Sequence, residues 1–130
     1  MDRGTVLVVE DDESMRDLVV EALRRDGHVV LAASSVHEAA ALLGEPARRF
    51  DLVISDVQMD GMSGVDLGRM LREKSASTPL ILMSGFAGST LRSAAADVGA
   101  LVLSKPFALD ALRGAVLTSI AARSPARGAS

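Results

Sequence analysis

Acidic, hydroxyl and amine side chains follow apolar runs at four separate places in the chain. Glu10 and Asp11 follow TVLVV, and Asp56 follows LVIS. Ser84 follows LILM, and Lys105 follows ALVLS. A carboxylate at the edge of an apolar core costs free energy unless a partner compensates its charge. These positions therefore predict one shared polar site, provided that the fold brings the four places together.

The residue types indicate which chemistry such a site would perform. Three converging carboxylates repel one another and favour a bound cation, and oxygen ligands without histidine or cysteine suit Mg²⁺ or Mn²⁺. Mg²⁺ keeps water or phosphate oxygens among its ligands. The hydroxyl of Ser84 and the ammonium of Lys105 would hold the other oxygens of a phosphoryl group. Asp56 stands alone after its own run and is the predicted nucleophile, since aspartyl phosphates are established covalent intermediates.

The elements that must position these residues follow from the hydrophobic pattern. Apolar runs alternate five times with segments that carry apolar residues at helical spacing. The predicted strands are residues 5–9, 29–33, 52–55, 80–83 and 100–103. This alternation predicts a doubly wound α/β fold, a parallel sheet with helices on both faces. Sites in such folds form at the carboxyl ends of the strands, where all of the residues named above lie.

Local signals make smaller predictions. Gly27 is predicted to end the first helix, while Ser35 and Ser89 are the predicted N-caps of the second and fourth helices. The two histidines, His28 and His37, are predicted to lie at the surface.

Composition restricts the class of protein. The length of 130 residues fits one domain, which we expect over residues 1–122, followed by a disordered tail at 123–130. The absence of cysteine excludes disulfides and thiolate metal sites. A net charge of −3, no basic block and only 2% aromatic residues argue against a nucleic-acid surface. The apolar runs are too short to span a bilayer, and the N-terminal MDRG does not resemble a signal peptide, so a cytoplasmic location is expected.

Four motifs, in order, resemble the signatures of response-regulator receiver domains: VLVVEDDESMR, VISDVQMDGMSG, LILMSG and LSKPF. The resemblance extends from residue 4 to about residue 122. It implies a flavodoxin-like (βα)5 fold whose five-stranded parallel sheet has the order 2-1-3-4-5.

The resemblance also implies roles for individual residues. Asp56 resembles the phosphoacceptor, and Ser84 and Lys105 resemble the hydroxyl and lysine that contact the phosphoryl group. The implied metal site consists of Glu10, Asp11, Asp56 and the backbone carbonyl of Gln58. Asp12 falls one place beyond the acid pair and is expected to be exposed or to cap the first helix. A cis peptide between Lys105 and Pro106 is expected on the same grounds.

The chain departs from the family pattern at three places. Asp60 stands where proline is usual, which predicts a more mobile and more acidic loop. Val102 stands where the family usually has an aromatic residue. Gly99 lies only six residues before Lys105, and this spacing, together with MSGF, resembles the receivers of hybrid sensor kinases.

The function implied by the resemblance is a switch rather than an enzyme, with at most self-catalysed phosphorylation and dephosphorylation. A sensor histidine kinase or histidine phosphotransfer protein would donate the phosphoryl group, and a changed surface would then bind a downstream protein, with no direct nucleic-acid or membrane contact. A phosphorelay intermediate or phosphate sink without its own output is the main alternative.

Two other functions, one enzymatic and one a binding function, fit the sequence less well. A haloacid-dehalogenase-like phosphatase, which also forms an aspartyl phosphate, requires a second aspartate where Gln58 stands. A nucleotide- or flavin-binding domain requires a glycine- or hydroxyl-rich loop after the first strand. Three acids occupy that place in this chain and would repel phosphate in the absence of a metal.

Overall fold

Strands and helices alternate five times along the part of the chain that the computed structural model describes, which comprises residues 3–46, 48–59, 63–86 and 88–128. The strands are β1 (Thr5–Val9), β2 (Val29–Ala33), β3 (Leu52–Asp56), β4 (Leu80–Ser84) and β5 (Ala100–Ser104). The helices are α1 (Glu13–Arg25), α2 (Val36–Leu43), α3 (Gly64–Lys74), α4 (Ser89–Asp97) and α5 (Leu109–Gly128). All strands are parallel, in the order β2-β1-β3-β4-β5. The predicted doubly wound fold and its strand order are confirmed.

The central strands are buried along their whole length or nearly so. Every residue of β3 and β4 is buried, and so are the last four residues of β1. Val6 and Val8 face the core formed with α1 and α5, while Leu7 and Val9 face the core formed with α2, α3 and α4, because successive side chains of a strand point to opposite faces. Helices on both faces explain why these strands are continuous apolar runs.

Most of the helix-terminal predictions are confirmed. Asp12 is the N-cap of α1 and accepts a hydrogen bond from the amide of Ser14 at 3.0 Å, and Ser35 caps α2 in the same way. Gly27 follows α1 with a positive φ of 94°, a conformation that glycine adopts without steric cost.

The predicted cap of α4 is wrong. Ser89 is the first residue of α4, and Gly88 occupies the N-cap position without any side chain to accept a hydrogen bond. A Cβ at residue 88 would lie 2.7 Å from the ring of Phe86. A side chain at residue 88 would therefore meet this ring, and glycine avoids that contact.

The ends of several elements differ from the sequence prediction. β3, β4 and β5 each extend one residue further and include Asp56, Ser84 and Ser104. The backbone of α5 is helical through Gly128, which differs from the predicted disordered tail at 123–130, whose last two residues lie outside the described residues. Ala121 and Ala122 are strong helix formers that favour continuation of α5. The domain boundary at residue 122 stays a prediction.

The prediction for the two histidines is half correct, because His37 is exposed whereas His28 is buried. The tight turn at Gly27 directs the chain back towards the start of β1, where the Nδ1 atom of His28 accepts a hydrogen bond from the amide of Gly4 at 3.1 Å. A helical pattern does not reveal this burial, since it depends on a contact between residues 24 positions apart.

None of the helices in the described ranges is both long enough and apolar enough to cross a bilayer.

Candidate functional site

The carboxyl ends of β1, β3 and β5 bring four of the predicted site residues together. Glu10, Asp11 and Asp56 each place one carboxylate oxygen within 4.8 Å of the others. The Nζ atom of Lys105 lies 3.2 Å from Oε1 of Glu10 and 3.2 Å from Oδ1 of Asp56. Glu10 and Asp56 are buried, with 1% and 7% of their surface exposed, whereas Asp11 is exposed. The site is therefore a partly exposed acidic cluster in which the ammonium of Lys105 contacts the two buried carboxylates.

Hydrogen bonds fix the segment that carries the first two acids. The amide of Glu10 donates to the carbonyl of Ala33 at 3.0 Å, which extends the pairing of β1 with β2. The Oε2 atom of Glu10 accepts from the amide of Asp12 at 3.1 Å. Its carbonyl accepts from the guanidinium of Arg16 at 2.9 Å. Both ends of Glu10 are thus held, and its remaining carboxylate oxygen faces Lys105.

The backbone carbonyl of Asp56 contacts two residues that the sequence analysis did not identify. The hydroxyl of Ser55 is fully buried and donates to the carbonyl of Asp56 at 2.9 Å. Gly64, the first residue of α3, approaches the same carbonyl so closely that any Cβ would collide with it. In the sequence, these two residues stand out only as a serine inside an otherwise apolar strand and a glycine at the start of a helix. Neither feature predicts a contact with the carbonyl of Asp56.

A capping box begins α3 just beside the site. The hydroxyl of Ser63 accepts from the amide of Asp66, whose carboxylate accepts from the amide of Ser63 in return. These bonds lower the pKa of Asp66, chiefly through the amide of Ser63. The pair fixes the point where the chain enters α3 and so supports the close approach of Gly64 to Asp56.

Burial and the neighbouring groups both shift the pKa values of Glu10 and Lys105. Burial raises the pKa of Glu10, and the charge of Asp56 acts in the same direction, while the amide of Asp12 and the ammonium of Lys105 act against it. Burial alone would lower the pKa of Lys105, but its contacts with Glu10 and Asp56 outweigh burial and raise it. Lys105 is therefore protonated at neutral pH and compensates the buried carboxylates.

Among the described residues, the other two predicted site residues form no side-chain hydrogen bond with the acids of the cluster. Ser84 is buried at the end of β4, but its hydroxyl donates to the carbonyl of Phe86 at 2.7 Å and accepts from the amide of Phe86 at 3.1 Å. Gln58 is exposed two residues beyond Asp56, and within the described residues no hydrogen bond links it to the acids. The predicted roles of both residues stay predictions.

The residues after β4 and β5 complete the rim of the site. The Lys105–Pro106 peptide is cis, as predicted, and the amide of Lys105 donates to the carbonyl of Ser84 at 2.6 Å. Val102 on β5 is partly buried and packs against the core on the α2, α3 and α4 side. Asp60, the predicted more mobile and more acidic position, lies outside the described residues.

The donor set fits a hard divalent cation. Two buried carboxylates and one exposed carboxylate lie close enough together to ligate a single ion, and Mg²⁺ binds through one or two carboxylates while it retains other oxygen ligands. The partial exposure of the cluster at Asp11 leaves room for such ligands.

The fold defines a doubly wound α/β domain with an acidic site at the carboxyl ends of its strands, and comparison with known proteins identifies its family. Residues 6–117 match the family model of the response regulator receiver domain. The chain belongs to this family and is a receiver domain of two-component signalling.

Individual relatives agree with this assignment. The sensor kinase CckA of Brucella abortus is 38% identical over 110 residues, a match that covers 84% of this chain and 12% of that protein. The structure of the non-phosphorylated HemR receiver domain of Leptospira biflexa is 30% identical with a TM-score of 0.82 and covers 89% of this chain and 93% of that chain. The response regulator TrrA of Thermotoga maritima, solved in complex with Mg²⁺ and BeF, is 28% identical with a TM-score of 0.77, covering 88% of this chain and 97% of that one. The chain spans less than half the length of several curated relatives that it matches.

We predict that Asp11→Ala abolishes measurable Mg²⁺ binding, because it removes the exposed carboxylate from a site with few protein ligands. Calorimetric titration of the chelator-treated protein with Mg²⁺ measures this directly. Asp12→Asn is the matched control, since it removes a neighbouring charge while asparagine still caps α1. Equal loss of affinity in the two variants would show that general charge, rather than ligation by Asp11, attracts the ion.

Proposed function

We propose that this receiver domain accepts a phosphoryl group on Asp56 and thereby acts as a phosphorylation-controlled binding switch. A carboxylate oxygen of Asp56 would attack the phosphorus of a phosphohistidine, the P–N bond would break, and the histidine nitrogen would keep the electron pair. The observation that supports this most strongly is the pairing of buried Asp56 with Lys105 beside two further acids. The reaction depends on positioning and charge compensation rather than on further covalent chemistry.

Each residue of the site has a proposed part. Glu10, Asp11, Asp56 and the backbone carbonyl of Gln58 would hold Mg²⁺ or Mn²⁺, which when bound compensates the charge of the phosphoryl oxygens. Lys105, whose Nζ atom lies 3.2 Å from Oδ1 of Asp56, would contact a phosphoryl oxygen. Ser84 would donate its hydroxyl hydrogen to another.

The hydrogen of Ser84 couples the site to the following loop. A hydroxyl has one hydrogen to donate, and in this structure Ser84 donates it to the carbonyl of Phe86. Donation to a phosphoryl oxygen requires that this bond break. The side chain of Phe86 is 81% exposed and its ring lies against Gly88 at the start of α4, so the loop can respond without disturbing the core.

Val102 makes a rotamer change in β5 an unfavourable response to phosphorylation. A β-branched side chain is stiff at χ1 and, unlike an aromatic residue, has no large ring to swing into space vacated by Ser84. We therefore place the bistable element in the loop after β4 rather than in a rotamer of β5.

The partners of the switch are part of the same proposal. A sensor histidine kinase or a histidine phosphotransfer protein would donate the phosphoryl group in the cytoplasm, and an unidentified protein would bind the changed surface, without nucleic-acid or membrane contact. The domain would act on no separate substrate, and its only catalysis would be of its own phosphorylation and dephosphorylation. A phosphorelay intermediate or phosphate sink without its own output stays the alternative prediction.

Asp56→Asn is expected to abolish phosphorylation, because the amide lacks the nucleophilic carboxylate. Incubation with acetyl phosphate and Mg²⁺, followed by intact mass and peptide mapping, should show a gain of one phosphoryl group in the wild type and in Asp12→Asn, and none in Asp56→Asn. Phosphorylation that persists in Asp56→Asn would refute the assignment.

Binding of beryllofluoride with Mg²⁺ should shift the amide resonances of residues 84–90 most strongly, with small shifts around Val102. The reason is the competition for the hydroxyl hydrogen of Ser84, and Ser84→Ala should therefore reduce these shifts. Two-dimensional NMR of the labelled domain provides the measurement. Large shifts around Val102 and α5, with residues 84–90 unchanged, would show that the signal leaves by another route.

A further inference from the structure

His28 is a buried ionisable residue at the end of the sheet opposite to the acidic site. It lies between the turn at Gly27 and the first residue of β2, with 4% of its surface exposed. Its Nδ1 atom accepts the hydrogen bond from the amide of Gly4, and the carbonyl of Gly4 accepts from the amide of Val29 at 3.0 Å. Gly4 thereby joins the start of β1 to the start of β2 through two bonds, one of which depends on His28.

The bond from Gly4 determines the state of the imidazole. An Nδ1 atom that accepts a hydrogen bond carries no hydrogen, so the neutral ring carries its hydrogen on Nε2. Nε2 is buried and has no hydrogen-bond partner within the described residues. A second proton could bind only at Nδ1, where it would replace the lone pair that accepts from Gly4.

The charged groups around His28 offer little compensation for a cationic ring. Arg3 packs against Gly27 and repels a positive charge. Asp26 attracts it, but both carboxylate oxygens of Asp26 are held by Arg113 of α5 at 2.8 Å. Asp51, beside Gly4, accepts from the amide of Thr5 at 2.8 Å. The carboxylates near His28 are thus already engaged.

We propose that His28 is an acid-sensitive latch, whose protonation breaks the bond from Gly4 and loosens the junction between the start of β1 and the α1–β2 turn.

The sign of the pH effect follows from the environment of the ring. Burial lowers the pKa of His28 in the folded protein, Asp26 opposes this shift, and Arg3 adds to it. The unfolded chain therefore binds the proton at a higher pH than the folded one. The stability that neutral His28 contributes is complete above about pH 6.5, the ordinary value, and is lost as the pH falls below it towards the folded-state pKa.

Urea unfolding between pH 7.5 and 5.5 tests the latch with three proteins. His28→Asn places an amide oxygen where Nδ1 accepts and cannot titrate, while His37→Asn removes the exposed histidine as a matched control. The free energy of unfolding of the wild type and of His37→Asn should fall more on acidification than that of His28→Asn. Any contribution from the titration of Glu10 is common to all three proteins and cancels in the comparison. An equal loss in all three would overturn the proposal.

NMR of the wild type tests the latch even if His28→Asn fails to fold. With only two histidines in the chain, His37→Asn assigns both imidazole resonances. His28 should titrate below the ordinary imidazole value of about 6.5 and carry its hydrogen on Nε2. On acidification, the amides of Gly4 and Val29 should lose protection from hydrogen exchange, corrected for intrinsic rates, before that of Leu82. Titration of His28 at or above that ordinary value, or unchanged protection at Gly4, would refute the latch.

Discussion

The contact of the Lys105 ammonium with Glu10 and Asp56 is the interaction on which the candidate site depends. Two carboxylates that are almost fully buried lie beside each other, and an unpaired buried charge is costly. Lys105 reaches both from the end of β5 at 3.2 Å. Without this cation, the carboxylate proposed as nucleophile would share its buried site with a second negative charge and, among the described residues, with no ion-paired partner of opposite sign.

The sheet topology explains why this contact can form. β1 and β3 are neighbours, so Glu10 and Asp56 leave the sheet side by side, and β4 separates them from β5. The side chain of Lys105 must therefore extend past the end of β4, where Ser84 lies and where the amide of Lys105 bonds the Ser84 carbonyl. The backbone of Lys105 is thus bonded to the strand end that carries Ser84, whose hydroxyl is the proposed connection between the site and the loop.

The sequence predicted the parts of the structure that follow from local pattern. Continuous apolar runs identify strands buried on both faces, and the shared edge of parallel strands predicts the meeting of Glu10, Asp56 and Lys105. The failures concern contacts that no local pattern records. His28 is buried because the turn at Gly27 returns it to Gly4. Ser89 does not cap α4 because it is the first helical residue and Gly88 holds the N-cap position. The hydroxyl of Ser84 bonds its own loop. The close contact of Ser55 and Gly64 with the Asp56 carbonyl is likewise visible only in three dimensions.

The charge compensation by Lys105 can be measured directly through the ionisation of Glu10. Carbon-13 NMR of the side-chain carboxyl groups, followed over pH, gives the pKa of Glu10 in the wild type, in Lys105→Met and in Lys74→Met, which removes the only other lysine of the chain. Loss of the Lys105 cation should raise the pKa of Glu10 further above its ordinary value, because burial and Asp56 then act unopposed by it. Lys74→Met should leave it unchanged. A Glu10 pKa that is the same in Lys105→Met and in the wild type would contradict the account.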